Sequence, residues 1–136
     1  MRMLVQVALV AAIAAIPSPV LAEDTSGSLQ VSAYVPEYCE VNAPQILAAE
    51  GDGMVTGAVF ESCNTQDGFQ VVASHRPLAA NEWVAFNYAG NVRYLQSSGW
   101  SEVANRGGAK HGERPISVSY TSLTAPLAIN LTVTAF

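Results

Sequence analysis

In segment after segment of this chain, apolar residues recur at every second position, and that period constrains the fold more than any other feature. Leu29, Val31, Ala33 and Val35 alternate with Gln30, Ser32 and Tyr34, and Phe69, Val71 and Ala73 alternate with Gln70, Val72 and Ser74. Ile116, Val118 and Tyr120 are separated by serines, and Leu127, Ile129, Leu131 and Val133 alternate with Ala128, Asn130, Thr132 and Thr134. Successive side chains of a strand point to opposite faces, so each segment reads as a half-buried strand. Met54–Cys63 and Trp83–Tyr88 add β-branched and aromatic runs.

Turn chemistry separates the runs. Gly51-Asp52-Gly53, Asn64–Gly68, Ser97–Gly99 and Pro126 read as turns. Gly90-Asn91 between β-formers predicts a hairpin in which Gly takes the positive φ. Val41–Glu50 is ambiguous, and Ile46–Glu50 has room for one short helical turn. Asn105–Pro115, Gly-rich and carrying Arg106, Lys110, His111 and Arg114, predicts an exposed loop. Short strands at roughly 8–12-residue spacing with turns between them predict an all-β antiparallel sandwich.

Composition narrows the function. Only 12% of residues are charged, 50% are hydrophobic, and the net charge is −5. Disorder and coiled coil both need more charge than this. Without a basic stripe, nucleic acid and anionic membrane surfaces are poor partners.

Residues 1–22 have the layout of a cleaved signal peptide. Arg2 supplies the positive start, Leu4–Ile16 is apolar but for Gln6, Pro17 and Pro19 follow, and Val20-Leu21-Ala22 offers a cleavage site before Glu23-Asp24. The apolar run falls short of the ~20 residues needed to span a bilayer. The expected mature protein is soluble and exported. Its two cysteines, Cys39 and Cys63, are an even count in an oxidising compartment and read as one disulfide. Closing that loop stabilises a fold by roughly 3–4 kcal/mol in the chain-entropy model. Two cysteines and two histidines without ligand spacing make a weak metal site.

Catalytic patterns are missing: GxSxG, HExxH, the P-loop and the dinucleotide-binding glycines do not occur. No enzyme activity, cofactor or metal is expected. Ser74-His75-Arg76 lacks a visible oxyanion hole, and His75 reads as a solvated residue at a strand end. Residues 105–114 suit either an anionic ligand or a mobile polar loop. Trp83 and Trp100 suit either sugar stacking or packing in the core or a hairpin. Asn130-Leu131-Thr132 matches a glycosylation acceptor but lies in an expected strand.

The order of segments carries a further signal. Gly27-Ser28-Leu29-Gln30-Val31-Ser32-Ala33-Tyr34-Val35 precedes Cys39-Glu40-Val41, and Val55–Cys63 ends on the second cysteine. Phe69–Ala73 follows, then Val84-Ala85-Phe86-Asn87-Tyr88, and Leu131-Thr132-Val133-Thr134-Ala135-Phe136 closes the sequence on an aromatic. This layout resembles the spore coat protein U-like pilins, subunits of archaic chaperone–usher fimbriae. Gln45-Ile46-Leu47 stands where that family commonly has a Phe-Gly pair.

The resemblance implies an immunoglobulin-like sandwich lacking its last strand. It divides the chain into a signal peptide (1–22), an N-terminal donor-strand segment (23–38) and a sandwich domain (39–136). Leu29, Val31, Ala33 and Val35 would fill a groove in a neighbouring subunit by strand addition, the larger three contributing roughly 5 kcal/mol or more as an upper estimate. Leu127, Ile129, Leu131, Val133 and Phe136 would form the terminal strand. Implied partners are copies of itself or related pilins, a periplasmic chaperone and an outer-membrane usher. The implied location is the periplasm in transit and then an extracellular fimbrium serving adhesion or biofilm formation. The alternative is a self-contained secreted β-sandwich that binds a ligand without polymerising.

Overall fold

The computed structural model describes residues 27–136. The expected signal peptide, and residues 23–26 of the expected donor segment, lie outside the described residues. Nine strands make up the regular structure of the described residues. They are β1 (Cys39–Asn42), β2 (Ile46–Ala48), β3 (Gly51–Cys63), β4 (Phe69–Ser74), β5 (Trp83–Tyr88), β6 (Asn91–Tyr94), β7 (Trp100–Arg106), β8 (Lys110–Leu123) and β9 (Leu127–Ala135). They form two antiparallel sheets, in the orders β1-β3-β8-β5-β6 and β2-β9-β4-β7. The inward faces of the two sheets share one core, as the alternation requires of a β-sandwich. Val59, Phe69, Val71, Val84, Phe86, Val118, Leu127 and Ile129 are all buried in it.

Residues 27–33 belong to a unit distinct from Tyr34–Phe136. Residues 27–38 carry neither helix nor strand, and every one of them is exposed. The half-buried strand expected over 28–35 is therefore corrected. Its alternation is real, but a strand also needs a neighbour for its N–H and C=O groups, and among the described residues none pairs with it.

Other boundaries move for local reasons. Ile46–Ala48 is a strand, not a helical turn, with Ile46 and Ala48 buried and Leu47 exposed. Three residues are too few for a period to be read. Gly51-Asp52-Gly53 is the start of β3, where the register against β8 shifts between Gly51 and Gly53 as in a β-bulge. The β5–β6 hairpin turns one residue early. Tyr88 pairs with Asn91, and Ala89 and Gly90 both take positive φ (49° and 93°), as a two-residue hairpin demands.

The largest correction concerns 105–114. β7 continues to Arg106 and β8 begins at Lys110, so only Gly107–Ala109 remains as loop. Arg106 and Arg114 do not wait for an anionic ligand, because the buried Glu61 carboxylate binds both. Trp83 and Trp100 stand on different sheets and are both more than half exposed (63% and 55%), so they form no single platform and do not fill the core. Trp83 packs instead edge to face on Tyr94 across the β5–β6 hairpin, which is the hairpin packing that the sequence allowed.

Candidate strand-acceptor seam

β9 has unequal neighbours. On one side β4 pairs with it continuously, from Ser74 opposite Asn130 to Phe69 opposite Ala135. On the other side β2 covers only Leu127, Ala128 and Ile129. Among the described residues, nothing pairs with that edge from Asn130 to Ala135. Across the opening stands β1, the edge strand of the other sheet, paired only with β3 and close to β9.

Burial records the difference residue by residue. Leu127 and Ile129 are 0% and 1% exposed, whereas Leu131 and Val133, on the same face of the same strand, are only partly buried. Cys39, Val41 and Ala43 on the β1 side are partly buried too. Between β1 and β9 lies a groove of about 380 Å³, lined by Glu40–Gln45 and Ile129–Leu131. Past the Pro44-Gln45 crossover a second hollow of about 210 Å³ opens, lined by Ile46, Val55, Gly57, Ile116 and Val118 among others. The two hollows adjoin at Pro44 and Gln45 and together form a seam. The first, beside the unpaired β9 edge, mixes polar and apolar side chains, and the second is mainly apolar.

Three devices hold the walls of the seam. The Cys39–Cys63 disulfide ties β1 to β3 at residues that face each other in the ladder. Phe136, 55% exposed, donates its backbone N–H to the Gly68 carbonyl at 3.2 Å and anchors the end of β9. Gly68 sits at φ +97°, where a side chain would also strike the Arg106 carbonyl.

The third device is Glu61, buried on the inward face of β3 and opposite Val41 of β1 in the ladder. Tyr88 donates to Glu61 Oε1 at 2.8 Å, Arg114 Nε to Oε2 at 3.0 Å, and Arg106 Nη2 to Oε2 at 3.1 Å. Arg106 Nε stands 3.0 Å from Oε1 but out of line for a hydrogen bond, so its contribution there is charge alone. Burial, and then the carboxylate to which it donates, push the Tyr88 phenol far above its ordinary range.

A second carboxylate, Glu82, is bound by Arg76 through two 2.8 Å hydrogen bonds. The Ala79 and Thr124 backbone N–H groups and the Thr124 hydroxyl donate to it at 2.7 Å each. The Arg76 hydrogen bonds, followed by those backbone donors, hold its carboxyl well below the usual range against the opposing effect of burial. Sequence reasoning missed both glutamates. The signal for Glu61 was its parity, since it falls in the inward register of Val59 and Cys63, where a charge demands a partner.

The expected donor residues Leu29, Val31 and Val35 are 88%, 80% and 71% exposed, and Ala33 is exposed as well. Ser74, His75 and Arg76 form no catalytic set. Ser74 Oγ lies 3.4 Å from the Asn130 carbonyl, His75 Nδ1 meets the Arg76 carbonyl, and Arg76 is bound to Glu82. His75 Nε2 is buried without a partner, not solvated as expected. Among the described residues, no group of three His, Cys, Asp or Glu side chains is placed to hold a metal.

Comparison with known protein families, curated proteins and solved structures found no match to this chain.

Proposed function

We propose that the protein is an exported, non-enzymatic fimbrial subunit that polymerises by strand addition. The observation that carries this reading is the seam: among the described residues the β9 edge is unpaired from Asn130 on, its inward-facing Leu131 and Val133 are only partly buried, and Leu131 shares the groove with Val41 of β1. Topology supports it. β1-β3-β8-β5 and β9-β4 follow the A-B-E-D and F-C order of an immunoglobulin-type sandwich. In that order the place beside β9, away from β4, belongs to a final strand G.

An extended segment laid there completes the ladder with its backbone and fills the seam with alternate side chains. Gly27–Val35 has that chemistry. It is apolar at Leu29, Val31, Ala33 and Val35, and neutral at Gln30 and Ser32 between them. A donor on one copy and an acceptor on the next make a head-to-tail contact that propagates as a filament. Until it is filled, the open edge is an aggregation hazard, which gives a periplasmic chaperone and an outer-membrane usher their role. The assembled fimbrium would serve surface adhesion or biofilm formation.

A labelled peptide spanning Gly27–Pro36, titrated into the chain that begins at Glu37, tests the reading by fluorescence anisotropy. Saturable binding that is lost when Leu29 and Val31 of the peptide become Asp supports it. No binding, or binding indifferent to those changes, contradicts it and favours the self-contained sandwich.

A further inference from the structure

Trp83 and Tyr94 stand on neighbouring strands of the first sheet, Tyr94 opposite Ala85 in the β5–β6 ladder. Their rings meet edge to face, with centroids 6.5 Å apart and planes at 88°. That arrangement leaves ring face uncovered, and the two residues are 63% and 68% exposed. Two exposed aromatics in contact form a contiguous apolar patch of the kind that marks a contact site.

Beside them is a cleft of about 250 Å³ between the β5–β6 hairpin and the segment after Pro77. Trp83, Tyr94, Ala79, Ala80 and Ser97 line its walls, over the buried Leu78, Val84 and Leu95. Its only ionisable acid or base other than the tyrosine is Glu82, whose carboxylate already serves Arg76, Ala79 and Thr124. An anionic ligand finds no lysine or arginine in the lining, and a cation finds no free carboxylate. Charge complementarity therefore selects a neutral ligand. The combination of aromatic walls and a hydroxyl-bearing residue, Ser97, in the lining narrows it further. A pyranose has an apolar C–H face for a ring and a rim of hydroxyls for polar neighbours, which matches a small cleft walled by aromatics.

We propose that this cleft binds a neutral, hexose-based glycan, with Trp83 stacking on a pyranose face and Tyr94 flanking it. The site lies away from the seam and does not rest on the polymerisation reading. If the chain does polymerise, each added subunit brings another copy of a weak site, and avidity follows.

The test uses indole N–H resonances of two forms, residues 23–136 and the chain in which residues 27–36 are relocated after Phe136 on a flexible linker, so that a non-polymerising form is read in either case. Each has two tryptophans and hence two such signals. Neutral tetrasaccharides of glucose, mannose and galactose are titrated in turn, with sialyllactose as the acidic probe. At least one neutral sugar is expected to shift the Trp83 signal saturably and leave Trp100 in place. The effect of Trp83→Ala is read on the amide signals of Tyr94 and Ser97, where affinity should fall about tenfold. Trp83→Phe should retain most of the affinity, and an unchanged melting temperature certifies the fold of both variants. The proposal is overturned if no neutral sugar perturbs Trp83, if Trp83→Ala binds as tightly, or if sialyllactose is preferred. It is also overturned if the Trp83 signal moves with protein concentration alone, because the cleft is then a contact between copies.

Discussion

Ile129 and Leu131 are successive inward-facing residues of β9, yet Ile129 is 1% exposed and Leu131 is only partly buried. The cause is one neighbouring strand. β2 reaches no further along β9 than Ile46 opposite Ile129, and past that point the second edge of β9 is open among the described residues.

Truncating the two residues should separate packing from docking. Ile129→Ala should cost the sandwich about 2–5 kcal/mol, as a fully buried aliphatic does. Leu131→Ala should cost about 1 kcal/mol, because the removed methyls are already partly hydrated. The same change should weaken binding of the Gly27–Pro36 peptide about tenfold. Urea unfolding with and without peptide measures both effects.

The Glu61 cluster should behave as a unit. Glu61→Gln leaves Arg106 and Arg114 facing each other without a carboxylate, at a cost of about 3 kcal/mol. That is the low end for a broken buried pair, because the two arginine side chains keep 16% and 33% of their exposure. Charge reversal at an exposed acid such as Glu113 should cost much less. Thermal melts of the two variants at neutral pH make the comparison.

Tyr88 ties this cluster to alkaline stability. Its phenol is raised in the folded state, so the unfolded chain loses that proton first as pH rises. The contribution is fully present below about pH 10 and is lost above it. Tyr88→Phe should lower stability at neutral pH by about 1–3 kcal/mol, since Glu61 loses a donor. It should also flatten the decline above pH 10, which melts across the alkaline range would show.

Glu82 has the opposite sign. Its carboxyl is lowered in the folded state, so its contribution is present above the ordinary glutamate value of about 4.3 and fades as pH falls below it. Glu82→Gln should weaken the sandwich at pH 7 and flatten the acid limb below about pH 4. A melting series from neutral to acidic pH, run on both proteins, tests the sign directly.

How much of this could be read from the sequence depends on distance along the chain. β4, β5 and β9 were legible because Phe69–Ala73, Val84–Tyr88 and Leu127–Val133 carry their own period. The identity of 105–114 was not, because Arg106 and Arg114 are neutralised by a carboxylate 45 and 53 positions away. Without that partner, two arginines among glycines look like a solvated loop. The seam has no local signal in the sequence. Leu131 and Val133 have the same local pattern as Leu127 and Ile129, and only the extent of β2 separates them. Residues 28–35 show the converse, with a strand's period but no paired strand among the described residues.

The central claim is that the sandwich is short of one strand and that Gly27–Pro36 can supply it. Two periplasmic chains test it most directly, without any chaperone. One is residues 23–136; the other deletes 23–36 and carries a copy of Gly27–Pro36 after Phe136 on a flexible linker. Size-exclusion chromatography and thermal melting are run on both. The account predicts ladders or aggregates from the first and a monomer with a markedly higher melting temperature from the second. A first chain that is already a stable monomer, with no gain from the relocated segment, would contradict it.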